Sequence, residues 1–252
     1  MTTITSTEIR NGLSNLGLDA GAKVLVHSSL SSFGYVEGGA DAVIDALLEA
    51  VGSTGTVAVP TLTATALHSV ENPPVFDLLN SPSWTGRIPE TFRSRTEAIR
   101  SLHPTHSVAA IGANAEDLTN DHTFSISPCD EKSPYGKLAT YEDGYVLLIG
   151  VGYGSMTNFH HAEELASADY HMQKGFTKAT LVIDGENVER NYMLHQWGTS
   201  RDFSVMEPLF IERGVQRKSL IGNSEVRLLS ATGVASTTLA CLRADPRVLC
   251  VN

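Results

Sequence analysis

Residues 23–60 constrain the fold more than any other stretch of the chain. Residues 23–27 (KVLVH) have the length and β-branched content of a buried strand, and residues 55–60 (GTVAVP) make a second. The second closes on a proline, which cannot donate to a sheet ladder. Between them lie the small-residue loop Ser28-Ser29-Leu30-Ser31-Ser32, the pair Gly38-Gly39 and residues 40–51 (ADAVIDALLEAV), a strongly amphipathic helix ended near Gly52. Strand, glycine turn, helix and strand in so short a span form a βαβ unit, which implies parallel strands covered by helices.

The flanking segments extend this pattern. Residues 5–17 read as a helix capped by Thr5 or Ser6, with Ile9, Leu13 and Leu16 at helical spacing and Gly17 at its end. The proline-rich stretch 72–84 is expected to be irregular, and residues 89–100 to form a helix with proline at its start. Strands are expected at 107–111 and 146–150, a short helix at 113–119, and a longer helix from about Thr157 to Gln173. Residues 179–183 and 187–193 bracket Asp184-Gly185, a turn dipeptide that favours a hairpin. A helix at 236–243 and a strand at 248–251 close the chain, giving a layered α/β fold with a mixed sheet and flanking helices.

Composition narrows the class. With 252 residues, 42% of them hydrophobic, the chain can bury a sizeable core, and no linker-like stretch divides it, so residues 1–252 read as one domain. The longest apolar run, residues 146–151, is far short of a membrane span. The polar, acid-bearing start MTTITSTEIR reads as neither a secretory signal nor a transit peptide, so a cytoplasmic location is expected. Cys129, Cys241 and Cys250 are odd in number and contain no CxxC pair, which argues against a disulfide framework or a cysteine zinc site. A net charge of −10 disfavours nucleic acid and suits a cationic partner.

Chemistry concentrates in residues 157–173. His160 can meet Glu163 or Glu164 one helical turn on, and a carboxylate beside an imidazole orients the ring and stabilises its protonated form. Such pairs also decorate solvated helix faces, and spacing alone does not separate the two readings. HHAEE lacks the second histidine of a zinc-protease HExxH, and adjacent histidines point to different faces, against a metal shared by His160, His161 and Glu164. GVGYGS misses the third glycine of a dinucleotide loop, and no GxSxG elbow is present. The segment His103-Pro104-Thr105-His106-Ser107 reads as a turn whose side chains bond nearby backbone. The Ser28-Ser29 loop has the exposed amides and hydroxyls that suit a phosphate, as do many ordinary βα connections.

Several segments in order, VLVHSSLSSFGYVEGGADAVIDALLEAVGSTGTVAVPTLT, SPSWTGRIPETFR, LHPTHSVAAIG, SPYGKL and TNFHHAEELA, resemble the aminoglycoside 3-N-acetyltransferase family from about residue 8 to 175. The resemblance implies the α/β fold of the antibiotic N-acetyltransferases, distinct from that of the GNAT enzymes. It also implies acetyl-CoA as cosubstrate, no metal, and an aminoglycoside acceptor whose acetylation confers resistance. In the TxxHxAE segment, matched by Thr157, His160, Ala162 and Glu163, it implies His160 as general base and Glu163 as its partner. Ser28, Ser29, Thr61, His103, Ser107 and Tyr135 are the positions it implies for acetyl-CoA contact. His106 and His161 fall on variable positions. Acidic residues between Glu71 and Asp77, or around Asp169, are candidates for the acceptor pocket. The same fold acting on another amine, or a coenzyme A-binding module without catalysis, are the alternatives; an intact His160–Glu163 pair speaks against the module.

Overall fold

The structure, a computed structural model, describes residues 3–251. The chain opens with β1 (Thr3–Ile4) and α1 (Ser6–Leu16), then β2 (Lys23–Ser28), β3 (Tyr35–Val36), α2 (Gly39–Val51) and β4 (Thr56–Pro60). Thr5 caps α1 in a reciprocal capping box with Glu8, and Gly17 ends the helix in the left-handed region. Next come β5 (Val75–Asp77), α3 (Arg87–Arg93), β6 (Ile99–Arg100), β7 (Val108–Gly112), α4 (Ala115–Thr119), α5 (Pro134–Leu138) and β8 (Gly144–Ile149). The last part holds α6 (Asn158–Leu165), β9 (Thr177–Ile183), β10 (Glu186–Tyr192), α7 (Glu207–Glu212), β11 (Gln216–Ile221), β12 (Ser224–Ser230) and α8 (Ala231–Ala244).

Seven strands make the main sheet in the order β11-β12-β8-β2-β4-β7-β6. Its centre, β8-β2-β4, is parallel, and the strands outside it pair antiparallel. Successive side chains on a strand face opposite ways, and the core divides accordingly. Val24, Val26, Val57 and Val59 pack with α1, α2 and α3, while Leu25, Ala58, Val146 and Leu148 pack with α5, α6 and α8. Burial on both faces explains why these strands read as continuous apolar runs rather than alternating ones. A second sheet, β10-β9-β5, has its own core of Phe76, Ala179, Leu181, Tyr192 and Leu194.

Four expectations need correction. The stretch 72–84 is not wholly irregular: β5 starts just after Pro73-Pro74, where no proline N–H has to be placed in the ladder, and pairs parallel with β9. The helix expected at 89–100 ends at Arg93, and Ile99–Arg100 joins the sheet edge, its arginine half-buried against the carbonyls of Leu78, Ser81 and Thr61. The helix expected to reach Gln173 ends at Leu165. Residues 248–251 form no strand, only an isolated bridge between Arg201 and Cys250.

The end of α6 matters most for the site. Ala168 N–H donates to Glu163 O at 3.0 Å and Ser167 N–H to Glu164 O at 2.9 Å, with Ser167 at φ +52°. This is a Schellman closure with serine in the place glycine usually takes. It reverses the chain, so His171 returns against the face of the helix it was expected to extend. No helix among the described residues is long and apolar enough to cross a membrane.

Candidate active site

The three parallel strands end around one cavity of about 510 Å3, in the crevice beyond the carboxyl ends of the strands where open α/β sheets bind ligands. His27 and Ser28 close β2 there, Pro60 closes β4, and Val151 follows β8. Gly150 makes the exit from β8 possible: it sits at φ +62°, and a Cβ there would lie 2.0 Å from Ser32 Oγ. From across the opening, α6 contributes His160 and the preceding Thr157, the His103–Ser107 loop contributes His106, and the chain after β10 contributes His195, Trp197 and Arg201.

His160 lies in the first turn of α6 with part of its ring exposed to the cavity, and its Nδ1 is 2.7 Å from Glu163 Oε2. That pairing leaves Nε2 as the ring atom free to meet a ligand. Glu163 is fully buried, and its other oxygen accepts from Arg201 Nε at 2.7 Å. His171 Nδ1 lies 3.3 Å from Glu163 Oε2 and 2.9 Å from an Arg201 nitrogen, and its ring stacks on His160 at 5.0 Å. Burial alone would raise the Glu163 carboxyl. The hydrogen bond and charge of His160, with His171 and Arg201, outweigh it and hold Glu163 down at about 2. Glu163 is therefore favoured as a carboxylate behind the His160 ring.

A second pair backs on to the same wall. His195 Nε2 is 2.6 Å from Glu164 Oε1, which also accepts the Cys129 N–H at 2.9 Å, while Ser127 Oγ donates to Oε2. Burial pushes Glu164 up to about 8 and pushes His195 and His106 well down. His27 is likewise lowered, to about 4, by burial.

Two groups bring potential metal-ligand atoms within 4.8 Å of one another: His160, Glu163 and His171, and Cys129, Glu164 and His195. Each carboxylate is in direct hydrogen-bond contact with an imidazole, and a guanidinium occupies the free side of Glu163.

Of the residues expected at the site, His160 and Glu163 come together as anticipated, and Ser28 lines the cavity with a buried Oγ that has no partner. Ser29 is not on the lining; its Oγ meets Ser31 Oγ at 3.1 Å. Thr61, His103, Ser107 and Tyr135 are wholly buried beneath the wall. Thr61 and Ser107 hydroxyls meet at 2.8 Å, and His103 Nδ1 accepts the Thr105 and His106 N–H groups. That turn, legible in the sequence as side chains bonding local backbone, aims His106 at the cavity. His195, Arg201 and Trp197 escape sequence reasoning. Single residues in a stretch without motif carry no signal of what they will meet. The acidic candidates do not line the cavity: Asp77 accepts from the Leu79 and Asn80 amides, and Asp169 pairs with Arg247.

A carboxylate-backed histidine in a crevice at the parallel strand ends of a mixed α/β sheet is an arrangement able to accept a proton from a bound ligand. A family model described as aminoglycoside 3-N-acetyltransferase matches residues 25–243, and the chain belongs to that family of acetyltransferases. It is 34% identical to the SPbeta prophage-derived aminoglycoside N(3')-acetyltransferase-like protein YokD of Bacillus subtilis, over 90% of this chain and 88% of that one. It is 32% identical to the aminoglycoside N(3)-acetyltransferase VII of Streptomyces paromomycinus, over 94% and 91%. Among solved structures, AAC-IIIb as a binary complex with CoASH superposes with a TM-score of 0.83 at 27% identity, covering 96% of this chain and 97% of that one. A mutant of AAC(3)-IVa in complex with a gentamicin gives 0.84 at 27%, covering 99% and 92%.

Proposed function

We propose that this enzyme transfers the acetyl group of acetyl-CoA directly to an amine of an aminoglycoside, with His160 as general base, acting in the cytoplasm and conferring resistance. The observation that carries the reading is the His160 ring, open to the cavity through Nε2 and anchored at 2.7 Å to an ionised, buried Glu163. An amine is protonated near neutral pH and cannot attack until it loses a proton, which a neutral His160 accepts. Glu163 and Arg201 fix the ring, so the imidazolium that forms is balanced without any side chain having to move. Ser28 Oγ, buried on the wall and without a partner, is suited to hold the thioester end of the donor. Cys129 is buried with its thiol pushed well up, chiefly by burial, which speaks for direct transfer over an acetyl-cysteine intermediate. The relatives that bind CoASH and gentamicin support the choice of donor and acceptor.

One observation favours the second reading, another amine as acceptor. No Asp or Glu is among the described residues lining the cavity, whose wall carries Trp84 and Trp197 beside its imidazoles. A polycation gains most from carboxylates. Release of free thiol from acetyl-CoA, measured with a panel of aminoglycosides and of singly charged arylalkyl amines, decides between the two. Turnover confined to the arylalkyl amines would overturn the aminoglycoside assignment.

A further inference from the structure

Glu163 and Glu164 are consecutive on α6, so about 100° of helical rotation separates their side chains. Each carboxyl holds a different imidazole, and both imidazoles line one cavity. Glu164 is fully engaged, by Ser127, the Cys129 amide and His195 Nε2. The remaining nitrogen of His195, Nδ1, has no partner among the described residues. The rings of His195 and His160 are edge to face with centroids 5.0 Å apart, so one ligand can touch both.

We infer that His195, backed by Glu164, is the acid of the reaction, delivering a proton to the departing thiolate while His160 takes protons from nitrogen. The inference rests on the acetyl-transfer reading above. The acceptor nitrogen enters as an ammonium and ends as an amide, so it gives up two protons. His160 takes the first and passes it to solvent. The nitrogen lone pair then forms the C–N bond, and His160 takes the second proton. The C–S bond breaks with its electron pair on sulfur, which receives the Nδ1 proton of His195 as the Glu164 proton moves to Nε2. The pair begins as carboxylic acid and Nδ1–H tautomer and ends as carboxylate and Nε2–H tautomer. It is then one proton short while His160 holds one in excess, and exchange with solvent restores both.

The electrostatics agree with the geometry. His195 is surrounded by His103, His106, His160 and His171, and burial with these rings disfavours a standing charge on it. Around Glu164 stand Asp130, Glu163 and the Cys129 thiol, and burial leads the effects that keep its proton on near neutrality. Glu163, one residue earlier, is ionised. Neighbouring carboxyls driven apart in this way mark a base and an acid.

The test compares two donors in the intact enzyme. The thiolate of acetyl-CoA needs a proton to leave well, whereas S-(4-nitrophenyl) thioacetate releases a thiolate that does not. His195→Gln is expected to lower turnover with acetyl-CoA at least about a hundredfold, the scale of a lost acid catalyst, and to leave turnover with the activated donor near the wild-type value. Glu164→Gln keeps the volume and can still donate to Nε2 but has no proton to pass on. It loses the oxygen that accepts the Cys129 N–H and so should melt lower, but the ratio of the two donors, taken within one variant, is independent of how much protein is folded. It should show the same donor-dependent loss, and it carries the comparison should His195→Gln misfold. His160→Ala should lose turnover with both donors. An equal loss with both donors in Glu164→Gln, or no loss with acetyl-CoA, would overturn the role of His195. Wild-type enzyme that acetylates no amine from either donor would overturn the parent reading, and this one with it.

Discussion

At the scale of single residues, the site divides into what a helix can announce and what only a folded chain can assemble. His160 and Glu163 are three apart and share a face by helix geometry, so their pairing is legible in the sequence itself. His160→Ala should leave acetyl-CoA binding nearly intact and lower turnover at least about a hundredfold, read by thiol release and isothermal titration. Glu163→Gln should act in the same direction but less, with a changed pH–rate profile; an unaltered profile would count against its role. Arg201 and His195 reach their carboxylates across sequence separations of 38 and 31, which no local pattern encodes. Removing the Arg201 guanidinium leaves Glu163 as a buried anion short of a cation. Arg201→Gln should therefore destabilise by about 3 kcal/mol in urea titrations, the usual scale for breaking a buried pair. The loss should be accompanied by weaker turnover, because the carboxylate behind His160 would be less firmly ionised.

At the scale of elements, legibility follows from which signals the residues carry. The capping box of α1 and the Asp184-Gly185 hairpin are readable because each depends on residues a few positions apart. The end of α6 is not, because its Schellman closure uses Ser167 where a glycine would have announced the stop. β11 is an edge strand with only Ile221 buried, so it offers no apolar alternation to find. β5 hides in a proline-rich stretch that its partner β9 organises. The serine at φ +52° is strained relative to glycine. Ser167→Gly is accordingly expected to raise stability by about 0.5–1 kcal/mol, the residual after the extra freedom glycine gives the unfolded chain. A thermal melt that moves down instead would show that the Ser167 side chain contributes more than its backbone strain costs.

At the scale of the whole molecule, the strand order is out of reach of the sequence, because βαβ patterns give direction but not neighbours. It takes the register of β2 against both β4 and β8 to bring three strand ends to one crevice. That convergence buries imidazoles in number, and a consequence for stability follows. His27, His103, His106, His122, His171 and His195 are all shifted down from 6.5, with burial the leading cause in each. Below 6.5 the unfolded chain takes up protons on these rings, while in the folded chain His27 and His122 refuse them until about 4 and His171 until about 3. The unfolded state thus binds more protons, and stability declines as the pH falls. His27, His122 and His171 each cost about 2 kcal/mol at pH 5, so the three acting fully would remove a large part of a typical folding free energy. Glu164 works in the opposite sense, since its raised carboxyl favours the folded state as pH falls from about 8 toward 4.5, but it is one group against six. Glu163 joins the decline only below 4.5, on the way to about 2. The urea midpoint should therefore drop steadily from pH 7 to pH 5 in the free enzyme. His122→Gln should make that decline shallower without touching the cavity, because His122 bonds Ser101 and the Pro128 carbonyl beneath it. A midpoint that stays level over this range would mean that the imidazoles take up protons in place, with the crevice opening to water rather than the fold giving way.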